Sequence, residues 1–420
     1  MKSRGSQAKI DYERLVEGDR VHSSVYTDPE IFADEIDRIF HRGWVFVGHT
    51  GEIPTPGDFR LKRIGLIPII MVRDQASEVR LLLNRCRHRG ATVCQVERGN
   101  ARSFRCSYHG WTYRLDGSLT GVPYPAGYGE GFERDRMGLT PVARMGIYRG
   151  FVFGNLSPTG DTLEQHLGKV REYIDLFVDR TPGSELMIDA GVQKYRYDAN
   201  WKLQVENSLD GYHPPFVHQS VMAAAHDDTP DSPNSPKLID KPDESPGPSI
   251  ARTADLGGGH VTLTQMVPVS QAGNVNFLIF PNLAVVGIQL RVINPVSVDR
   301  TEVDILPTIL RGAPEGVNAA RLREHEGFFG PGGMGSPDDT EVFERLQMGY
   351  TATFDPCTFI GRGRNRERHE ADGVIVGDLT DEVPARGIWR HWLAVMSDGK
   401  RLTPIAGSRP IRSRRATAAR

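Results

Sequence analysis

The chain has 420 residues, a formal net charge of −2 and 25% charged residues, so it carries no overall pull toward nucleic acid or an anionic membrane surface. Its 39% hydrophobic content fits a globular protein with room for two domains. Four cysteines in so long a chain exclude a disulfide framework, and no apolar run reaches membrane-spanning length, the densest being Leu66–Val72.

The polar stretch Met1–Lys9 lacks an apolar signal core, which gives a cytoplasmic expectation. Residues 1–43 read as a helical segment, with Ile31, Phe32, Ile36, Ile39 and Phe40 on one side of a helix over Pro29–Phe40. Residues 44–158 read as a compact all-β unit: short runs at Trp44–Val47, Ile67–Val72, Val79–Leu83 and Gly150–Phe153 alternate with Gly/Pro turns. A helix over Leu163–Val178 opens a second unit spanning 159–398. Strands at Gln193–Tyr197, His260–Val267, Asn276–Ile279, Ala284–Asn294 and Thr301–Leu310 predict an antiparallel meander. Helices at Asn200–Gly211, Val317–Phe328, Thr340–Tyr350 and Asp381–Met396 make the class α+β. Ala223–Gly259 reads as a long irregular loop, either a lid or disorder, that ends in the flexible backbone of Gly257-Gly258-Gly259. Residues 399–420 read as a basic flexible tail.

Two strings carry the chemistry of the first unit: Cys86-Arg87-His88 and Cys106-Ser107-Tyr108-His109, separated by residues 89–105. Two thiolates and two imidazoles on matched fingers fit a [2Fe–2S] cluster in which cysteines hold one iron and histidines the other, an exchange that raises the reduction potential. Zinc accepts the same ligand types but leaves a second site, described next, without a purpose. Cys94 and Cys357 have no partner spacing and read as small buried hydrophobes.

The second site lies in Asn200–Gln219. His213 and His218 stand five residues apart, about 140° around a continuous helix. Pro214 and Pro215 forbid that continuity, so the chain bends after His213 and His218 can swing back. Two neutral imidazoles and one carboxylate, with open positions, make the facial triad of Fe(II) oxygenases. The carboxylate is sought in Asp338-Asp339 at the start of the helix Thr340–Tyr350. Asp338, with Glu341 three residues on, makes a capping-box pattern. Asp339 is then left for the metal, and the exchanged assignment stays open. The other histidines, His325 among them, receive no role, and no single cation marks itself as a carboxylate anchor.

Together these strings resemble the large (α) subunit of Rieske non-heme iron aromatic-ring-hydroxylating oxygenases. Cys86–Gly90 and Cys106–Tyr113 look like the family's cluster motif, Trp111 matching its aromatic cover, and Asn207–His218 looks like its iron motif. The resemblance runs from about Ile10 to Met396 and favours Asp339, the second of an Asp-Asp pair, as third ligand. It implies an all-β Rieske domain and a helix-grip catalytic domain against which residues 1–43 pack. Cys86, His88, Cys106 and His109 would hold the [2Fe–2S] cluster, and His213, His218 and Asp339 a mononuclear Fe(II). Asp210 would bridge an iron histidine to a cluster histidine of the neighbouring chain in a trimeric ring, with Asn207 and Tyr212 as supporting polar groups.

The implied activity is hydroxylation of an aromatic ring with dioxygen, cis-dihydroxylation first, on an aromatic acid or a neutral or polycyclic arene. A Rieske monooxygenase (ring monohydroxylase or O-/N-demethylase) and a pure electron carrier are the alternatives. No G-x-G-x-x-G opens a helix, so electrons would come from a ferredoxin, an NAD(P)H-dependent reductase, or both. A small β subunit in an α3β3 assembly is expected, with α3 as the alternative.

Overall fold

The computed structural model describes residues 10–179, 186–188, 190–221, 251–265 and 275–397. The expected tail, most of the expected loop and the Met1–Lys9 stretch lie outside the described residues.

The N-terminal segment forms a helix, α1 (Pro29–Glu35), that widens into a looser turn over Ile36–Phe40. Asp28 caps it by accepting from the Glu30 N–H at 2.7 Å, and Pro29 takes the first position, where a missing donor costs nothing. Its apolar face enters a core with Trp201, Trp389 and Trp392. Burial of each large apolar side chain there contributes about 1.5–3 kcal/mol. Glu35 is fully buried among these rings and accepts from the indole N–H groups of Trp201 at 2.9 Å and Trp392 at 2.7 Å. The Lys202 ammonium completes its shell at 2.7 Å.

Residues 45–155 build the β unit from three antiparallel sheets. Asp58–Ile64, Ile67–Arg73, Val79–Leu83 and Arg98–Asn100 form one, and Val45–His49 pairs with Phe151–Asn155 in another. The third, a short ribbon of Phe104–Arg105, Thr112–Tyr113 and Leu119–Gly121, carries the second finger in its turn.

The larger unit is a nine-stranded antiparallel sheet. In chain order its strands are β1 (Gln193–Tyr197), β2 (Ala251–Gly257), β3 (His260–Gln265), β4 (Val275–Ile279), β5 (Leu283–Val286), β6 (Gln289–Ser297), β7 (Arg300–Pro307), β8 (Arg368–His369) and β9 (Ile375–Asp378). Their order across the sheet is β1-β7-β6-β5-β4-β3-β2-β9-β8. Side chains alternate between faces. Leu290, Val292 and Leu306 pack against Phe46, Phe151 and Phe153 of the β unit, whereas Ile293, Val303 and Ile305 face the helices. Those helices are α2 (Trp201–Asn207), α3 (Glu315–Phe328), α4 (Ser336–Gly349) and α5 (Val383–Ser397). Asn282 clips the two units together: its amide exchanges two 3.0 Å hydrogen bonds with the Phe46 backbone.

Several expectations need correction. Leu163–Val178 is two helices, Leu163–Leu167 and Val170–Val178, broken at Gly168. Ala284–Asn294 is the hairpin β5–β6 turning at Gly287; burial on both faces makes the two strands read as one apolar run. Ala251–Gly257, placed within the irregular loop, is a central strand. Gly257–Gly259 is its tight turn, all three at positive φ, and a Cβ on Gly259 would stand 2.9 Å from both Phe280 and His391. These glycines are required by geometry rather than marks of flexibility. Cys94 is buried as expected, but Cys357 is exposed on a short edge strand. Among the described residues no helix is long and apolar enough to cross a membrane.

Candidate metal centres

Two matched chain reversals present Cys86, His88, Cys106 and His109. In the first, the Cys86 N–H donates to Ala91 O at 2.8 Å and the Gly90 N–H to Cys86 O at 3.0 Å. The second repeats this with Cys106 N–H to Trp111 O at 2.8 Å and Gly110 N–H to Cys106 O at 3.0 Å. Gly90 and Gly110 take φ of +81° and +71°, values that favour glycine and let each finger fold back. Both cysteines are buried, and the two imidazoles lie side by side with ring centroids 4.5 Å apart. Trp111 stacks on His88 at 5.0 Å and 8°, covering that side of the tip.

The donor set fits a cluster with two cysteine and two histidine ligands. His88 Nδ1 is buried with no partner among the described residues, an orphan that a metal would satisfy. The Tyr113 hydroxyl lies 3.1 Å from Cys86 Sγ and accepts from the Arg87 N–H at 3.1 Å. Burial and then the neighbouring Cys86 push this phenol well above its ordinary value, so it remains a donor to the thiolate. Hydrogen bonds to cluster sulfurs tune the reduction potential.

The second site is assembled from three segments. Asn200 caps α2 through the Lys202 N–H at 3.1 Å, and the helix ends at Asn207. The chain turns through Asp210, ahead of His213, and Pro214–Val217 then forms a short helix with His213 at its start and His218 at its end; the two prolines take its first positions, so the bend expected after His213 lies before it instead. The first turn of α4 brings in Asp339. One oxygen, Asp339 Oδ1, lies 3.4 Å from His218 Nε2 and 3.6 Å from His213 Nε2. Donor atoms of these three residues all fall within 4.8 Å of one another, a spacing that suits one ion.

Their supports are equally specific. His213 Nδ1 sits 3.1 Å from Asp210 Oδ2, and Asp210 Oδ1 accepts the Tyr212 N–H at 2.6 Å. His218 Nδ1 sits 3.5 Å from Asp338 Oδ2. Each carboxylate is placed to accept from an Nδ1–H, which frees Nε2 to offer its lone pair to an ion at the shared centre. The Asn207 amide donates to Asp339 Oδ1 at 3.1 Å and also lies 3.3 Å from His213 Nε2. Burial raises the Asp339 carboxyl, but the His218 hydrogen bond and the charges of His213, His218 and Arg291 outweigh it and hold the group below its ordinary value. Burial lowers the His218 imidazole, yet Asp339 and Asp338 overcome that and raise it. A proton shared in this way occupies the position where a divalent cation would bind.

All seven expected ligands therefore fall into two groups. The roles of two other residues change. Asp338 is not a helix cap: α4 begins at Ser336, two residues before it, and Asp338 faces His218. Tyr212 supports the site through its backbone N–H, while its ring lies under the Arg362 guanidinium at 4.2 Å. One residue was missed. Arg291 is 3% exposed and lies on the helix-facing side of β6; an arginine set among Leu290, Val292 and Ile293 was its only sequence signal.

Residues 43–134 match the Rieske [2Fe-2S] domain, and residues 186–374 match the catalytic domain of ring-hydroxylating alpha subunits. The 2-halobenzoate 1,2-dioxygenase large subunit of Burkholderia cepacia is 35% identical over 379 residues, covering 82% of this chain and 80% of that protein. Toluate 1,2-dioxygenase subunit alpha of Pseudomonas putida is 35% identical over 389 residues, 81% and 83% of the two chains. A crystal structure of naphthalene 1,2-dioxygenase from Rhodococcus sp. bound to indole superposes with a TM-score of 0.79 at 27% identity, covering 90% of this chain and 94% of that one. The catalytic-domain match sets aside the electron carrier, and the Rieske match sets aside zinc. The chain belongs to the alpha subunits of the Rieske-type ring-hydroxylating oxygenases, oxidoreductases that incorporate molecular oxygen and carry a [2Fe–2S] cluster and a mononuclear iron.

Proposed function

We propose that this chain is the catalytic subunit of an oxygenase that cis-dihydroxylates an aromatic ring. The observation that carries the reading is the convergence of His213, His218 and Asp339 on one point in a chain that also carries the Cys86/His88 and Cys106/His109 fingers. Residues 44–158 would form the cluster domain, 159–398 the catalytic domain, and 1–43 a segment packed on the latter.

Cys86, Cys106, His88 and His109 would hold the cluster, and His213, His218 and Asp339 the iron. When bound, the cluster supplies single electrons and the iron supplies oxygen activation. The protein's part is positional. Asp210 and Asp338 hold the Nδ1 protons of His213 and His218, and Asn207 fixes the Asp339 carboxylate. Phe328, its ring 5.3 Å from that of His218, excludes water on one side.

The names large subunit and subunit alpha among the relatives support a second, small β subunit; the proposed assembly is α3β3, fed by a ferredoxin, a reductase or both. In a trimer the Asp210 carboxylate, half-exposed beside His213, would reach a cluster histidine of the next chain. The test is turnover of aromatic substrates under labelled dioxygen with a surrogate reductase. Two labelled atoms in one product are expected; a single labelled atom would make the enzyme a monooxygenase. Metal analysis should give about three irons per chain, two from the cluster and one from the triad.

A further inference from the structure

The inner face of the sheet beside the triad holds a set of polar groups whose buried side-chain atoms have few or no partners among the described residues. Arg291 and Gln289 lie two apart on β6, hence on one face, and alternation with Leu290 and Val292 points that face toward the helices. Gln289 is fully buried, and neither its amide oxygen nor its nitrogen has a partner among the described residues. Gln193 lies in the same row as Arg291, both paired with Ile305, and its side-chain oxygen is also unpartnered. From α3 comes His325, 1% exposed, with neither ring nitrogen partnered among the described residues.

Arg291 is the centre of the set. Among the described residues its Nε has no partner, its one hydrogen bond is a long 3.5 Å contact from Nη1 to Ser208 Oγ, and it pairs with no carboxylate. Ser208 is itself engaged: its hydroxyl donates to Gln204 O at 2.6 Å, and Gln204 in turn accepts from the Tyr195 hydroxyl at 2.6 Å. Burial and the charge of Arg291 push His325 down to about 4, so the ring beside the cation is neutral.

Water could satisfy the neutral amides but would leave a buried cation without a counterion, which is far costlier. Asp339 does not supply the missing charge, because a divalent iron held there by two neutral histidines and this one carboxylate would still carry a surplus positive charge. The set therefore calls for an anion. It lies next to the reaction centre: Ser208 follows Asn207, whose amide touches Asp339, and Phe329 and Phe328 continue from His325 to the ring of His218.

We infer that Arg291 anchors the carboxylate of an aromatic acid, with Gln289 as the accompanying donor, and so turns the ring toward His213, His218 and Asp339. The assignment rests on the ring-hydroxylating reading and narrows it to anionic substrates. Arginine suits the role because its planar fork matches a carboxylate.

The test compares matched pairs that differ only in charge, benzoate with toluene and 2-naphthoate with 2-methylnaphthalene, using holoenzyme and a surrogate reductase. Binding of benzoate to the oxidised enzyme is followed by calorimetry. The wild type should bind benzoate and favour the acid of a pair. Arg291→Met should lower the acid-to-neutral ratio of kcat/KM by about 10- to 100-fold, mainly through KM, with Arg291→Lys between. Should Arg291→Met fail to load iron, Gln289→Leu carries the test, with an expected drop in the ratio of about 3- to 10-fold. Turnover of the neutral compounds alone, or an unmoved ratio in a fully loaded variant, would overturn the anchor and leave the oxygenase reading intact. Hydroxylation of no member of either pair would overturn both.

Discussion

Asp338 Oδ2 stands 3.5 Å from His218 Nδ1, on the side of the ring opposite the nitrogen that faces Asp339. The adjacent acids at the start of α4 thus act on the two nitrogens of one imidazole. Asp338→Asn is expected to weaken iron binding at the triad by about 10-fold or more, whereas Asp339→Asn removes a ligand and empties the site. Iron content measured beside the cluster's visible absorption separates the two. Equal iron affinity in wild type and Asp338→Asn would refute the tautomer role.

Asp210 should matter to the flow of electrons rather than to folding. Its carboxylate joins His213 Nδ1 to the Tyr212 N–H and is half-exposed. Asp210→Ala is expected to retain both metals and to slow reoxidation of the reduced cluster by about 10-fold or more. Stopped-flow absorption with substrate present reads that rate directly; full coupled activity would sink the bridge role.

The N-terminal segment is tied to the catalytic core by charge as well as packing. Glu35 and Lys202 pair at 2.7 Å with side chains 0% and 1% exposed, and burial pushes the Lys202 amine down against the pull of Glu35. Glu35→Ala strands a buried cation and is expected to cost about 3–5 kcal/mol in denaturant unfolding. Glu35→Met combined with Lys202→Met should recover part of it, because the pair's own desolvation is avoided while the Trp201 and Trp392 indole N–H groups lose their acceptor. A loss under 1 kcal/mol for Glu35→Ala would mean that the pair is already hydrated.

Glu206 gives the protein a pH-dependent stability. Burial drives its carboxyl from 4.5 up to about 7, against the hydrogen bond from Tyr26 and the charge of Lys202. A folded-state value above the unfolded one means that stability is complete below about 4.5 and declines as pH rises through about 7. The shift corresponds to at most about 3 kcal/mol. Glu206→Gln keeps the acceptor for Tyr26 and removes the titration, so the fall in Tm between pH 5 and 8 should shrink. An unchanged Tm profile would show that Glu206 titrates normally.

The primary structure by itself singled out the candidate ligand residues. Cluster and iron chemistry demand particular donor atoms at short spacing, so Cys86 to His109 and His213 to His218 are legible without coordinates. The alternating strand Gln193–Tyr197 was legible for the same local reason. Only the tertiary structure decided what depends on which groups meet. The capping pattern at Asp338 satisfied a local rule, yet the helix begins earlier and the acid finds a histidine 120 residues away in the chain. Likewise Arg291 is one cation among many until the sheet buries it without a counterion. Spacing encodes the geometry of neighbours in the chain, whereas burial and charge balance depend on segments that meet only after folding.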